Sequence, residues 1–486
     1  MTERRRQTFS SLRVPNYRLF FVGQLISMSG TWMQTVAQSV LVLQLTHSGT
    51  MLGLTIGARF APLFVLGPWG GVLADRLDKR RVLYVTQALS GLLALAFGLL
   101  TSTGLIRLSS VLLLAVALGL VNVFDNPARQ AFISELVPAD QLRNAVTLNS
   151  VTANLARVWG AALGGGIAAT LGVALCFDIN AASFVAVLVT LALMDGTRLR
   201  PAPRAPRARG ELRAGLAYVR REPQLLVPLI MVAVVGTLAW EFQVSLPLLA
   251  TGTFHGGAGT YGTMSAVMGV GAVVGGLVSA ARRAGRATAL ALAAIGWGIT
   301  ITVAALAPNL TIAYIALAFV GYGSITFNSL AKTTLQLAAV PQMRGRVMAL
   351  WSLAWLGSTP IGGPIVGVVA ATCGPRYGLL IGGVPTLLLG LAVYPLLRRR
   401  TRASASPPPE FPDDVRGRSG RVDDEPGLVR LQRLQGQQLR GDQAGRHEMP
   451  RTGPDPAADD LGRRAQLQED DVAGDAQPVP VAPLQG

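Results

Sequence analysis

Three ionisable side chains stand inside long apolar runs of this 486-residue chain: Arg59, Arg157 and Glu241. A charge left at the centre of a bilayer costs on the order of 3 kcal/mol or more, so each must meet protein, water or an opposite charge. Arg59 and Arg157 can hold an anionic group of a cargo, and Glu241 can carry a proton or pair with an arginine. A structural ion pair within or between helices meets the same requirement. The histidines His47, His255 and His447 fall in predicted loops or in the tail, away from any buried acid–base work. Cys176 and Cys373 form no ligand spacing, and no GxxxxGK[ST] occurs. The sequence therefore predicts no metal, no cofactor and no nucleotide as energy source.

The elements that carry these residues follow from composition. Half of the residues are apolar, 14% are charged, 55 are glycine and the mean hydropathy is +0.43, against about 25% charged in a soluble globular chain. Apolar runs of bilayer length recur, and the chain reads as an all-α membrane protein with twelve spans. The first six are predicted near Phe20–Leu45, Met51–Ala74, Val82–Thr101, Ser109–Phe124, Ala145–Leu171 and Gly172–Met194. The second six are predicted near Leu225–Ala250, Tyr261–Ala281, Ala287–Ala307, Leu310–Leu330, Val347–Ala371 and Tyr377–Leu397. These runs are about twice the length of a barrel strand and lack its in–out alternation.

Charge placement supports that count. Residues 1–402 hold 33 Lys/Arg against 11 Asp/Glu, whereas 403–486 hold 10 against 15. With the amino terminus in the cytoplasm, 29 of the basic residues fall on the inner side, and the outer loops keep only Arg107 and Arg376. This is the positive-inside pattern of a multi-pass protein in the cytoplasmic membrane with both termini inside. The overall basicity, +17, is thus an orientation signal and implies no nucleic acid.

Residues 198–223, with the run PAPRAPRARGE, divide the spans six and six and read as a cytoplasmic linker between a bundle at 1–197 and a bundle at 224–402. From 403 to 486 the composition turns to Pro, Asp, Gln, Gly and Arg, which predicts a disordered tail. Its composition is also what an altered reading frame would give.

An internal repeat relates the halves. A shift of 203 residues places Phe124-Asp-Asn-Pro-Ala-Arg129 on Phe327-Asn-Ser-Leu-Ala-Lys332. Without a gap, Val137-Pro138 then falls on Val340-Pro341, Arg143 on Arg346, Gly160 on Gly363 and Gly164 on Gly367. Two parallel six-helix bundles, pseudo-symmetric about the membrane normal, can rock around a shared site.

The most specific motif is Gly71-Val-Leu-Ala-Asp75-Arg76-Leu-Asp78-Lys79-Arg80-Arg81. It resembles the loop G-x-x-x-D-[RK]-x-G-[RK]-[RK] between spans two and three of the major facilitator superfamily, with Asp78 in place of the second glycine. The segments Asn122-Val-Phe-Asp125-Asn126-Pro127-Ala-Arg129-Gln130 and Glu135-Leu-Val-Pro138 are similar to the bacterial subfamily of enterobactin-type siderophore exporters and macrolide-efflux proteins. The resemblance implies a cytoplasmic latch made by Gly71, Asp75, Arg76, Lys79, Arg80, Asp125 and Arg129; a solvated cluster that only fixes topology is the alternative. Gly160-Ala-Ala-Leu-Gly164 and Gly363-Pro364-Ile-Val-Gly367 are similar to the family's G-P-x-x-G antiporter motif, and helix packing is the physical use of glycines at that spacing.

The expectation is a secondary transporter, not an enzyme, that exports small organic molecules by alternating access in exchange for protons, with the small molecule, the proton and the bilayer as partners. The rival is a membrane receptor or scaffold that signals through the acidic tail without transport.

Overall fold

A computed structural model describes residues 10–200, 211–281 and 288–405, apart from the side chains of 68–76, 211–213, 280–281, 356 and 399–405. Residues 201–210 of the linker and 406–486 of the predicted tail lie outside the described residues. Among those described, every regular element is helical.

The first half contains α1 (Pro15–Thr46), α2 (Gly49–Arg76), α3 (Lys79–Ser102), α4 (Leu108–Leu136), α5 (Leu142–Thr170) and α6 (Val173–Ala192). A short α7 (Glu211–Arg221) leads to the second half: α8 (Pro223–Leu238), α9 (Phe242–Gly252), α10 (Ala258–Ala281), α11 (Thr288–Leu306), α12 (Leu310–Ala338), α13 (Arg344–Leu356), α14 (Thr359–Cys373) and α15 (Pro375–Ala405). Among the described residues, ten stretches are long and apolar enough to cross a membrane. The remaining long helices, α1 and α5, have 32 and 29 residues but carry more polar side chains. Those of α1 turn inward: Gln24, Ser27, Gln34, Thr35, Gln38 and Ser39 are all buried. Apolar side chains cover the outside instead, with Leu113 70% and Leu92 63% exposed, as suits a protein solvated by lipid.

Local chemistry sets the helix ends. Pro15 and Pro223 begin α1 and α8, where a missing N–H costs nothing. The Asp78 side chain accepts from the Arg81 amide to cap α3, and Asn309 accepts from Ile312 to cap α12. The boundary between the fifth and sixth spans, marked in sequence only by Leu171-Gly172, is a glycine at φ 92°; Gly374, at φ 111°, ends α14 in the same way.

The fourth and tenth spans run past their expected ends. The fourth span does not end at Phe124. Helix α4 continues to Leu136 through Pro127, so Asp125 and Arg129 lie on a helix rather than in a loop. Pairing of these groups with α1 and α3 satisfies them there, and α12, also of 29 residues, repeats the extension.

The repeat has structural counterparts. Short 3-10 turns at Ala139–Gln141 and Pro341–Met343 follow α4 and α12. In the first half α2 packs on α4, and α3 on α4 and α6; in the second, α10 packs on α12, and α11 on α12 and α15. The halves differ at two places. Helix α1 is continuous, whereas the seventh span is interrupted between α8 and α9; α5 is continuous, whereas the eleventh is interrupted between α13 and α14.

The halves meet chiefly where α2 packs on α14 and α5 on α10. Both contacts are made by glycine. Gly53 and Gly57 lie against the backbone of Pro360, Gly363 and Pro364, and a Cβ added to Gly165 would sit 2.6 Å from the Gly262 Cα. These approaches lie at mid-height and toward the end opposite the basic segments, because α2 and α10 start at that end and α5 and α14 finish there.

Candidate functional site

The hydroxyls of Thr31, Thr35 and Ser39 donate to the carbonyls of Ser27, Thr31 and Thr35, one turn back along α1. Their backbone bonds are thereby satisfied inside the helix, which leaves hydroxyl oxygens facing inward as acceptors. On this stripe rests Arg59 of α2, whose Nη1 donates to Thr35 Oγ1 at 3.4 Å. No carboxylate pairs with Arg59 among the described residues.

A cavity of about 240 Å³ opens beside it, bounded by α1, α2, α3, α4 and α6. Across the cavity stand Asp125 and Arg129, one turn apart on α4. Asp125 Oδ1 accepts from Thr86 Oγ1 at 2.8 Å and Gln87 Nε2 at 2.7 Å, and its Oδ2 is 3.6 Å from Arg129 Nε. Arg129 donates further to Gln24 Oε1 and Asn126 Oδ1. The Asp125 charge is thus offset by Arg129, and Arg59 leaves the cavity with an uncompensated positive charge. Gln243, at the start of α9, completes the wall from the second half.

Arg157 is brought near this cavity but not into its lining. It is buried on α5, with its guanidinium 5.4 Å from the centre of the Trp32 ring, and Trp32 lines the cavity. Tyr261 of α10 is buried in one cluster with Val36 of α1 and Ala161 of α5, so a second-half side chain meets α1. Beyond Tyr261 lies a vestibule of about 870 Å³ at the end away from the basic segments, lined by His47, Leu248 and Ala370 among others.

Glu241 stands apart from the arginines. It occupies the break between α8 and α9 and is 3% exposed. Its carboxylate lies against Gly362 and Gly363 near the start of α14, and its Oε1 has no hydrogen-bond partner.

The residues of the basic motif separate into several roles. Lys79 Nζ is 3.0 Å from Glu135 Oε1, tying the start of α3 to the end of α4. Arg80 donates to the carbonyls of Leu191, Ala192 and Met194, closing the carboxyl end of α6 where the helix dipole is negative. Gly71, Asp75 and Arg76 belong to the last turns of α2, and their side chains lie outside the described residues. Gly160 and Gly164 press against Ser29, Trp32 and Met33 of α1. Gly363, Pro364 and Gly367 press against α2.

The uncharged half of the site escapes a search for charges. Gln87 and Asn122 line the cavity, and Asn180 Nδ2 donates to Gln34 Oε1 at 2.5 Å between α6 and α1. The available signal was the low hydropathy of the first span.

A family model described as a transmembrane secretion effector of the major facilitator superfamily matches residues 6–430. The chain belongs to that family. This major facilitator protein is 27% identical over 396 residues to the enterobactin exporter EntS of Citrobacter koseri, a match that covers 81% of this chain and 94% of the relative. Among solved structures it resembles a point mutant of the nucleoside transporter NupG, with a TM-score of 0.63 at 12% identity over 79% of this chain and 99% of the other. It also resembles a bacterial homologue of the human lysosomal transporter Spinster in an inward-facing, occupied conformation, with a TM-score of 0.62 at 17% identity over 80% and 97% of the two chains. The chain is therefore a multi-pass membrane transporter with exporter relatives, and not an enzyme.

Proposed function

We propose that this transporter exports small organic molecules bearing an acidic group across the cytoplasmic membrane, in exchange for protons. The supporting observation is the Arg59 guanidinium, without a carboxylate partner among the described residues, on a cavity walled by five first-half helices and by Gln243 of the second half, a position where an anionic group of cargo would supply the ion pair. The twelve spans comprise the ten apolar stretches together with α1 and α5, whose inward polar faces lower their hydropathy. They form two pseudo-symmetric six-helix bundles, 1–197 and 224–402, joined by a cytoplasmic linker at 198–223 and followed by a tail at 403–486. Both termini are cytoplasmic, as the basic segments favour.

In that orientation the glycine contacts seal the outer side, and the cavity belongs to an inward-facing state. Rocking of the bundles would part α2 from α14 and α5 from α10 and turn the cavity outward. Lys79, Arg80, Asp125 and Arg129, with Gly71, Asp75 and Arg76, form the cytoplasmic latch of the opposite state. Glu241 carries the proton, since it is the buried carboxylate without an ionic partner among the described residues.

Reconstitution into proteoliposomes tests the coupling. Transport of an acidic cargo should accelerate when a pH gradient is imposed and should collapse with an ionophore; identical rates with and without the gradient would exclude proton exchange.

A further inference from the structure

We infer that the first turn of α14 forms the other half of the proton site, with Thr359 positioning the Glu241 carboxyl, and that Gly363 passes its charge state to the contact between the two halves. The inference rests on the reading of Glu241 as proton carrier given above. Glu241 precedes α9 and would be its natural capping residue, yet its side chain makes no cap bond there. Its main-chain carbonyl alone accepts from Val244 and Ser245. The side chain instead lies against the first turns of α14, with Oε1 3.1 Å from where a Gly362 Cβ would stand, and Ser358 also leaves that helix without a side-chain cap. One carboxyl therefore precedes one helix amino end and lies against the first turn of another. The helix dipoles at both amino ends favour negative charge at that position.

The break that exposes this carboxyl also provides for its protonated form. Interruption of α8 removes the backbone donor that would otherwise reach the Thr237 carbonyl. Thr237 O and Glu241 Oε1 both lie against Gly362, where a Cβ would collide with the former and stand 3.1 Å from the latter. A proton added to the partnerless Oε1 turns an acceptor with no donor into a donor beside a free acceptor.

Gly363 connects this pair to the first half. A Cβ placed on it would be 3.6 Å from Glu241 Oε2 on one side and 3.0 Å from the Gly53 carbonyl oxygen on the other. A shift of α14 that follows the carboxyl must therefore move the α2–α14 contact. The elements packed around Glu241 bring few other charges. Helix α2 brings Arg59, turned to Thr35, and α10 brings Tyr261, buried in the cluster with Val36 and Ala161. Helix α13 carries Arg344 and Arg346 in its first turn; α15 carries Arg376, Tyr377, Tyr394 and Arg398 toward its ends.

The test reads the contact itself and needs no cargo. Ala370 lines the outer vestibule on α14 at 3% exposure. In a Cys373→Ser background, an Ala370→Cys variant is labelled with a membrane-impermeant maleimide from the outer face. Rates are referred to those of native, exposed Cys373 in the parent, which corrects for thiol ionisation. Relative labelling should change about threefold or more across the neutral range. Glu241→Gln should abolish that change. Thr359→Val should displace its midpoint, and Thr359→Ser should restore it. Wild-type pH dependence in Glu241→Gln, or an unmoved midpoint in Thr359→Val, would overturn the inference. The carrier reading fails separately, if Glu241→Gln still transports with full dependence on the proton gradient.

Discussion

Gly53 and Gly363 face each other across the two halves, with the Gly363 carbonyl where a Gly53 side chain would begin and the Gly363 carbonyl carbon 2.9 Å from that position. Backbones this close gain dispersion contacts along both helices, the principal source of helix association in lipid. A methyl group at Gly53 meets main chain rather than a flexible side chain, so it cannot be accommodated by a rotamer change. Gly53→Ala should destabilise the sealed arrangement by about 1 to 3 kcal/mol. The expected result is roughly tenfold or greater loss of transport with normal membrane insertion, measured in everted vesicles. Gly166→Ala, at a position with nothing near its missing Cβ, is the control and should transport normally.

Arg59 has a hydroxyl for a partner and no carboxylate. Arg59→Gln keeps a donor but removes the charge. Transport of an acidic cargo should fall by about tenfold, while that of a neutral isostere should change little, since a charge-assisted bond contributes about 1.5 to 3 kcal/mol. Competition assays with matched acidic and neutral compounds provide the measurement, and equal losses for both would assign Arg59 a structural role.

Lys79 and Glu135 form an ion pair with side chains only 13% and 9% exposed. Removal of one partner leaves the other charge poorly solvated, so Lys79→Met alone should lower the melting temperature of the detergent-solubilised protein. The double variant Lys79→Met, Glu135→Met should recover much of the loss. If the double variant melts no higher than the single, the pair does not contribute as described.

Asn16 joins the two ends of the first half. Its Nδ2 donates to the Asp195 carbonyl at 2.8 Å, and its Oδ1 accepts from the Asp195 amide at 3.0 Å. Asn16→Ala should cost about 1 to 3 kcal/mol. Asn16→Asp keeps only the acceptor and should fall between; thermal melts followed by size-exclusion recovery would order the three.

Much of this architecture was legible because lipid imposes coarse rules. Apolar runs located the helices, and the 203-residue repeat placed Val137-Pro138 on Val340-Pro341, where matching 3-10 turns follow α4 and α12. The loop assigned to Asp125 and Arg129 was misplaced because charge was taken to end a span. In the folded protein Thr86, Gln87 and Gln24 satisfy those charges on a helix that continues. The polar members of the cavity were overlooked for a related reason: an uncharged Gln or Asn in an apolar run has no distinctive sign until a neighbour from another helix is known.

Sequence by itself determined which runs are apolar enough to enter a membrane, where the basic segments lie between them and that two stretches of the chain are alike at a shift of 203 residues, because transfer between water and lipid is a property summed along the chain. Only the tertiary structure decided that Arg59 has no ionic partner among the described residues, that Arg157 rests on Trp32, and that Glu241 crosses to the start of α14. Those outcomes depend on which helices touch and where spans seven and eleven break. Close approach is a relation between distant segments, and glycine spacing permits it without naming the partner.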